Sequence, residues 1–298
     1  MFCTLHIDRK KLVLTLAAVL AGILLGLAGV NTAMRQAQAA PAATSTEAQE
    51  GVKLPVIMYH SMLKEQSRQG QYVISPDTFE SDLKYLKEHG YTSVTMQELI
   101  DYVKNGAPLP EKPIVLSFDD GYYNNYLYAY PLAKQYGFKI VIAPIGYYTD
   151  QYSKVDDNHA NYSHLTWNQI NEMMASGYVE FQNHTYNLHS TKNRMGAKKL
   201  KGESDEHYAK LLEEDLQTMQ REMQENTGYT PTTFVYPFGA ISNASVPIVK
   251  GLGFQATLTC EEKMNYITKD PECLFGLGRY LRPAGKGSEA YFQKIKLE

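Results

Sequence analysis

Strand-like and helix-like segments alternate along most of this 298-residue chain, and this alternation restricts the fold more than any other feature. A strand is predicted at residues 54–59, followed by a helix at 76–89 with Ser75 as its cap. Thr95 and Glu98 predict a capping box for a second helix. Further strands are predicted at 113–118, 138–145, 179–182, 233–236 and 254–259, with helices between them. Repeated alternation predicts an α/β fold, a parallel barrel rather than a sandwich.

Two adjacent carboxylates follow the most strand-like of these segments. Residues 113–118 are apolar, β-branched or aromatic, Asp119 and Asp120 come directly after them, and Gly121 ends the run. The carboxyl ends of strands are where α/β folds place their chemistry. A buried carboxylate needs a partner, a proton or a metal, so we expect one Asp to bind a metal ion and the other to handle protons. A plain Asp-Gly turn is the competing interpretation.

His184 and His189 follow the predicted strand at 179–182. Their five-residue spacing would place them about 140° apart on a helix, so a shared metal requires a loop, and two unrelated loop histidines are the alternative. If both polar groups follow strands of one barrel, an Asp, His, His set forms an open site for zinc or a similar divalent ion, with the spare Asp as general base. His159 and His164 share the spacing but follow no strand, and they are interpreted as unrelated to the site.

His60 ends the first predicted strand and could reach the same rim of the barrel. The reaction still lacks a general acid, and a histidine can fill that role. A strand-end histidine bonded to a loop carbonyl is the alternative.

Three segments in this order resemble the motifs of the NodB-type polysaccharide deacetylases, carbohydrate esterase family four. They are Ser-Phe-Asp-Asp-Gly at 117–121, His-Thr-Tyr-Asn-Leu-His at 184–189 and Tyr-Pro-Phe-Gly at 236–239. The resemblance covers roughly residues 53–285, and the early Met-Tyr-His at 58–60 is similar to the rearranged subgroup that includes poly-N-acetylglucosamine deacetylases. It implies a distorted (β/α) barrel of about seven parallel strands and hydrolysis of an N-acetyl group on a hexosamine in a glycan.

The resemblance also implies roles for individual residues. It makes Asp119 the general base and His60 the general acid, and it places an oxyanion-holding backbone N–H near Pro237 and Phe238. The implied metal ligands are Asp120, His184 and His189, most simply for Zn²⁺, although Co²⁺ and Ni²⁺ suit the same set. Tyr236 and Tyr122 are expected at the substrate cleft, the latter because it lies so close to Asp120 in sequence.

The chain departs from the family pattern at two places. Val235 stands where the family has an arginine that orients the base, and Arg279 and Arg282 are the candidates to replace it, with plain surface charge as the alternative. The late Leu-x-His motif is missing because no histidine follows His207, which favours His60 as the acid.

The N-terminus is typical of a targeting segment. Three basic residues at 9–11 precede an uncharged run at 12–30, and a small-x-small site follows at 37–39. We therefore predict a signal peptide or membrane anchor at 1–34, which inserts in the membrane at least transiently, a flexible linker at 35–52 and an extracytoplasmic catalytic domain at 53–298. Cleavage and anchoring both remain open at this point.

Charge and cysteine content restrict the partners. The net charge of −3 and scattered basic residues argue against nucleic acid, and the catalytic domain is expected to be monomeric with an N-acetylated polysaccharide as substrate. Cys260 and Cys273 are the only pair available for an exported disulfide, and the sequence leaves that bond open. It also leaves open peptidoglycan or an exopolysaccharide as substrate, and an O-acetyl esterase or a carbohydrate-binding pseudoenzyme as alternative functions.

Overall fold

The structure is a computed structural model that describes residues 51–155 and 157–297. The predicted signal peptide or anchor at 1–34 and nearly all of the predicted linker at 35–52 lie outside these residues. Among the described residues, no helix combines the length and the apolar character needed to cross a bilayer.

Strands and helices alternate in the described part of the chain. The strands are β1 Val52–Leu54, β2 Val56–Tyr59, β3 Ser61–Met62, β4 Val73–Ile74, β5 Thr92–Ser93, β6 Pro113–Asp120, β7 Ile140–Pro144, β8 Val179–Phe181, β9 Thr233–Val235, β10 Ala256–Leu258, β11 Asn265–Ile267 and β12 Tyr280–Leu281. The helices are α1 Pro76–Glu88, α2 Met96–Asn105, α3 Tyr130–Tyr136, α4 Gly146–Ser153, α5 Trp167–Ala175, α6 Asp205–Thr227, α7 Ser245–Gly251 and α8 Ser288–Lys294.

Parallel pairing carries these strands around a distorted barrel. The main sheet has the order β12-β2-β6-β7-β8, with the short β5 pairing with the start of β6, and β9 pairs with β10 in a second parallel sheet. Single parallel bridges from Asn183 to Phe234 and from Leu258 to Leu277 join the two sheets at both edges. The predicted α/β fold with about seven parallel strands is therefore confirmed, with seven strands in the circuit.

Local sequence signals account for the helix ends. The Ser75 side chain accepts a hydrogen bond from the Thr78 N–H at the start of α1, and the predicted capping box of Thr95 and Glu98 is present at α2.

One predicted strand differs from the structure: residues 54–59 form two short strands that are divided at Pro55. Proline has no N–H to donate, and β1 before it pairs antiparallel with β11 while β2 after it enters the barrel.

The alternation of side chains along β6 sorts its residues between two apolar clusters. Leu116 and Phe118 face outward into the cluster beneath the helices, whereas Val115 packs with residues of the barrel interior. Because side chains alternate along a strand, Ser117 and Asp119 share the inward face of Val115. Asp119 therefore emerges at the carboxyl end of the barrel, above its interior.

Candidate active site

Asp119 is held in a buried ion pair with Arg279. The guanidinium of Arg279 donates to Oδ1 and Oδ2 of Asp119 at 2.6 and 2.8 Å, and its Nε donates to the Thr259 carbonyl at 2.8 Å. Arg279 is 0% exposed and Asp119 is 3% exposed. Two parallel N–H···O bonds fix both the position and the plane of the carboxylate. Of the two arginines considered from the sequence, Arg279 thus reaches Asp119.

Arg282 does not contact Asp119. It donates instead to both carboxylate oxygens of Asp82 on α1, at 2.9 and 3.0 Å, and both residues are buried. The prediction that Arg282 orients the base is therefore wrong. The alternative that the two arginines only add surface charge is also wrong, because both side chains are buried. Residues three apart in an extended segment face opposite sides, so only one of the two can point into the barrel.

Asp120, His184 and His189 bring three potential metal-ligand atoms together. Asp120 Oδ1 lies 3.6 Å from Nε2 of His184 and 3.2 Å from Nε2 of His189, and the three atoms all lie within 4.8 Å of one another. Nδ1 of His184 lies 2.8 Å from the Val235 carbonyl, which suits an Nδ1–H donor and leaves Nε2 free to bind a cation. Oδ1 of Asp120 is buried without a hydrogen-bond partner. This donor set fits a divalent metal ion.

The loop between the two histidines is held from both sides. Asp215 on α6 accepts hydrogen bonds from the N–H groups of Tyr186 and Asn187, each at 2.8 Å. The first two N–H groups of α4, from Gly146 and Tyr147, donate to the carbonyls of residues 185 and 186 at 3.1 and 2.8 Å. These bonds fix the backbone that carries His189. Asp215 was missed in the sequence because one acid on a long polar helix gives no pattern that separates it from its neighbours.

Both carboxylates of the pair are held in the charged form. Burial by itself would raise the pKa of Asp119, but the charge and hydrogen bonds of Arg279 bring it below the ordinary value. Burial likewise opposes ionisation of Asp120, but the neighbouring His184 side chain holds the pKa of Asp120 well below its usual range. With Arg279 balancing one carboxylate, one negative charge remains. A cation is the natural partner for it.

His60 directly follows β2, and its side chain lies close to Asp119. Its Nε2 is 3.9 Å from Asp119 Oδ2, its carbonyl accepts a hydrogen bond from the Asn125 side chain at 2.8 Å, and its ring contacts Tyr72 edge-on at 4.9 Å. Its Nδ1 is buried without a partner. Burial lowers the pKa of His60 more than the charges of Asp119 and Asp120 raise it. The strand-end position therefore reaches the rim, as expected from the sequence.

A cavity of about 550 Å³ opens above these side chains, and Phe238 forms part of its wall. The Phe238 ring packs against His189 at 4.4 Å and its backbone has a φ of 58°. Tyr122 is among the residues that line the cavity. Tyr236 differs: its side chain is 1% exposed, packs in an apolar cluster and bonds the Ser245 hydroxyl, so it does not line the cleft. Pro237, between Tyr236 and Phe238 in sequence, is buried at the turn.

Backbone strain concentrates at this site. Four non-glycine residues in the described part of the chain have positive φ, and three of them, Asp120, Thr185 and Phe238, lie in the three motif segments. Such conformations cost about 1–3 kcal/mol each and persist only where surrounding contacts enforce them. The strained backbone at these three residues therefore lowers the stability of the fold while it holds the site residues in position.

His164 belongs to the site although its sequence setting suggested otherwise. Its Nδ1 lies 3.0 Å from the Asp120 carbonyl, and its ring contacts Tyr122 at 4.9 Å. No strand was predicted before His164, and an antiparallel backbone pairing with Tyr122 brings it to the site instead. Cys260 and Cys273 are free thiols in this structure, without a disulfide between them.

Comparisons with known proteins agree with this geometry. A family model for polysaccharide deacetylases matches residues 106–257. A solved de-N-acetylase from Aggregatibacter actinomycetemcomitans is 30% identical with a TM-score of 0.69, and the likeness covers 82% of this chain and 99% of that one. The curated poly-beta-1,6-N-acetyl-D-glucosamine N-deacetylase of Escherichia coli is 26% identical over 69% of this chain, and that of Staphylococcus aureus is 28% identical over 64%. The chain spans 33% and 62% of the length of these two curated relatives.

Proposed function

The chain belongs to the polysaccharide deacetylase family, and we propose that it hydrolyses N-acetyl groups on hexosamine residues of an extracytoplasmic polysaccharide. One arrangement carries the proposal: a charged carboxylate, Asp119, fixed by Arg279, lies beside a group of side chains that fits a metal ion. The names of the relatives point to poly-N-acetylglucosamine as the substrate class.

We propose that Asp120, His184 and His189 hold the metal, most simply Zn²⁺, with Co²⁺ or Ni²⁺ as alternatives. A divalent ion there supplies Lewis acidity toward the acetamide carbonyl and lowers the pKa of a bound water toward about 7. The unpartnered Oδ1 of Asp120 and the lone pair left on His184 by its bond to the Val235 carbonyl support this ligand set.

Asp119 is proposed as the general base. Its carboxylate stays ionised because Arg279 opposes the effect of burial on its pKa. The two bonds from Arg279 also leave the carboxylate little freedom to rotate, so its remaining lone pairs keep one direction. A base placed in this way can take the proton of an attacking water without a prior rearrangement.

His60 is proposed as the general acid that protonates the leaving amine. Burial lowers its pKa, so the protonated ring is a stronger acid than a free imidazole and gives its proton up readily to an amine. Nε2 of His60 lies 3.9 Å from Oδ2 of Asp119, so the proposed acid and base lie side by side at the cleft.

The turn at Pro237–Gly239 is proposed to hold the developing oxyanion. The N–H groups of Gly239 and Ala240 already donate to Tyr236 and Pro237 carbonyls, and proline has no N–H. The proposal therefore narrows to the N–H of Phe238, a residue that lines the cleft with a strained backbone and with its ring against His189.

The charge of the cleft favours a neutral polymer. Its described lining includes the carboxylates of Asp119, Asp120 and Glu262 and no lysine or arginine. Arg279 and the proposed metal ion balance the charges of Asp119 and Asp120, so the cleft offers an anionic glycan or a peptidoglycan stem no excess positive charge. We therefore propose an N-acetylhexosamine exopolysaccharide, acted on outside the cytoplasm by a monomeric catalytic domain at 53–298 that is preceded by an export or anchoring segment at 1–34 and a linker at 35–52.

The test uses the purified chain with defined N-acetylated and O-acetylated oligosaccharides, and mass spectrometry follows the loss of acetyl groups. Asp119→Asn and His60→Ala are each expected to lower kcat by about 10²–10⁴-fold. His207→Ala, which changes an exposed histidine on α6, is the matched control and should keep wild-type turnover. Acetyl loss from esters but never from amides would refute the deacetylase proposal in favour of an O-acetyl esterase. Binding without any acetyl loss would favour a carbohydrate-binding pseudoenzyme.

A further inference from the structure

Exposed hydrophobic side chains are concentrated around two adjoining cavities. Ten large hydrophobic residues are exposed in the described part of the chain, and seven of them line either the catalytic cleft or a second cavity beside it. Those in the cleft are Tyr72, Met195 and Phe238, and those in the second cavity are Tyr147, Tyr148, Val155 and Tyr162. Clustered exposed apolar surface marks a binding site more often than single exposed residues do.

The second cavity, here called the tyrosine pocket, is lined mainly by Tyr147, Tyr148, Tyr152, Tyr162 and His164. Its volume is about 610 Å³, within the range of about 300–1,000 Å³ that holds small-molecule ligands. It shares Asp120, Tyr122 and His189 with the catalytic cleft, so one ligand can occupy both cavities at once.

A flat aromatic platform lies in the tyrosine pocket next to Asp120. The rings of Tyr148 and His164 stack at 4.5 Å with 15° between their planes, and Tyr148 remains 39% exposed. Nδ1 of His164 lies 3.0 Å from the Asp120 carbonyl. The platform is therefore tied directly to the residue that ends β6, and its distance from the site is fixed.

The chemistry of the tyrosine pocket suits a pyranose ring. Aromatic faces pack against the C–H face of a sugar, while polar groups at the edge, here Gln151 and Asp157, can bind its hydroxyls. No lysine or arginine is among the described residues that line the pocket, which disfavours an anionic ligand.

We propose that the tyrosine pocket binds the hexosamine unit next to the one that loses its acetyl group. This inference rests on the proposed deacetylase function and makes the substrate a chain of at least two sugar units. Binding energy from the neighbouring unit then positions the acetamide over Asp119, so turnover rises with oligomer length.

Tyr148→Ala tests this subsite, and Tyr266→Ala is its matched control. Both tyrosines are exposed, at 39% and 56%, but Tyr266 lies on β11 and lines neither cavity. The measured quantity is the ratio of kcat/KM on a β-linked N-acetylglucosamine pentamer to kcat/KM on the monosaccharide. We expect Tyr148→Ala to lower this ratio about tenfold and Tyr266→Ala to keep the wild-type ratio. An unchanged ratio, whether both kcat/KM values fall equally or neither falls, would overturn the inference.

A binding titration separates this inference from the proposed function. The same pentamer is titrated calorimetrically into Asp119→Asn and into Asp119→Asn combined with Tyr148→Ala. A Kd about tenfold weaker in the double variant supports the subsite even if no variant hydrolyses an amide. Equal affinities in the two proteins would overturn it, whatever the activity of the wild type.

Discussion

Replacement of Arg279 by methionine removes the charge that faces Asp119 and keeps a side chain of similar length. Arg279 is 0% exposed and forms two short bonds to the Asp119 carboxylate, so the variant leaves a buried carboxylate without its counter-charge. Breaking one side of a buried ion pair costs about 3–5 kcal/mol. Domains are typically stable by only about 5–15 kcal/mol, so the loss is readily measured by urea unfolding.

The loss should depend on pH in a defined direction. In the wild type the pKa of Asp119 is lowered, so its pairing contributes stability above the ordinary carboxyl pKa and this contribution disappears as the pH falls. In Arg279→Met burial loses its main opponent and raises the pKa of Asp119 relative to the wild type, so the variant protein holds a proton on Asp119 at higher pH. We therefore expect the stability gap between the two proteins to be widest at neutral pH and narrower in mild acid.

Activity should change for the same reason. A protonated Asp119 cannot accept a proton, so kcat at neutral pH falls and the acidic limb of the pH profile moves to higher pH. Arg282→Met is the matched control, because Arg282 is also buried but pairs with the buried Asp82 and makes no contact with Asp119. It should lose comparable stability and keep the wild-type pH profile.

Two results would refute this reasoning. One is an Arg279→Met protein whose acidic limb coincides with that of the wild type, because Asp119 would then keep its charge without Arg279. The other is an equal shift in Arg282→Met, because the change would then reflect general loosening of the fold.

Three further predictions concern single residues. Asp120→Asn should lose at least about 100-fold in metal affinity, measured by metal analysis after dialysis, and retention of a full equivalent of metal would contradict the ligand assignment. Gly121→Ala should lower the free energy of unfolding in urea by about 2–4 kcal/mol, because φ at this position is +66° and the added Cβ would lie 2.6 Å from the Cβ of Pro144. Gly90→Ala is the control: φ is +75° there but no atom beyond its chain neighbours lies within 4 Å of the added Cβ, so the loss should be only about 1–2 kcal/mol. Burial raises the pKa of Asp215 from 3.8 to about 6, so the stability of the wild type relative to Asp215→Asn should fall by about 2 kcal/mol between pH 4 and pH 7, and a gap that stays constant with pH would contradict this.

Much of the site followed from local sequence because its residues lie at strand ends. An apolar run stopped by two acids and a glycine defined β6 and placed Asp119 and Asp120 at its carboxyl end. The alternation of segments predicted parallel strands, and parallel strands bring their carboxyl ends to one face. That geometry is why His184 and His60, distant in sequence, could be expected near Asp119.

Other parts of the site depended on contacts that no short segment records. Asp215 and His164 lie on a polar helix and in a polar loop, and their roles come from the backbone groups that happen to face them. Tyr236 lies in a motif, yet its side chain turns into an apolar cluster because the following turn carries Phe238 to the cleft instead.

The sequence by itself determined the barrel, the acid pair and the histidines, because strand periodicity and helix caps are local properties of the chain. Only the tertiary structure decided which arginine replaces the one missing at Val235. Arg279 and Arg282 are three residues apart on one extended segment and must face opposite sides, and the sequence does not say which side faces the barrel interior. The pairing of β12 with β2 turns Arg279 toward Asp119 and Arg282 toward Asp82.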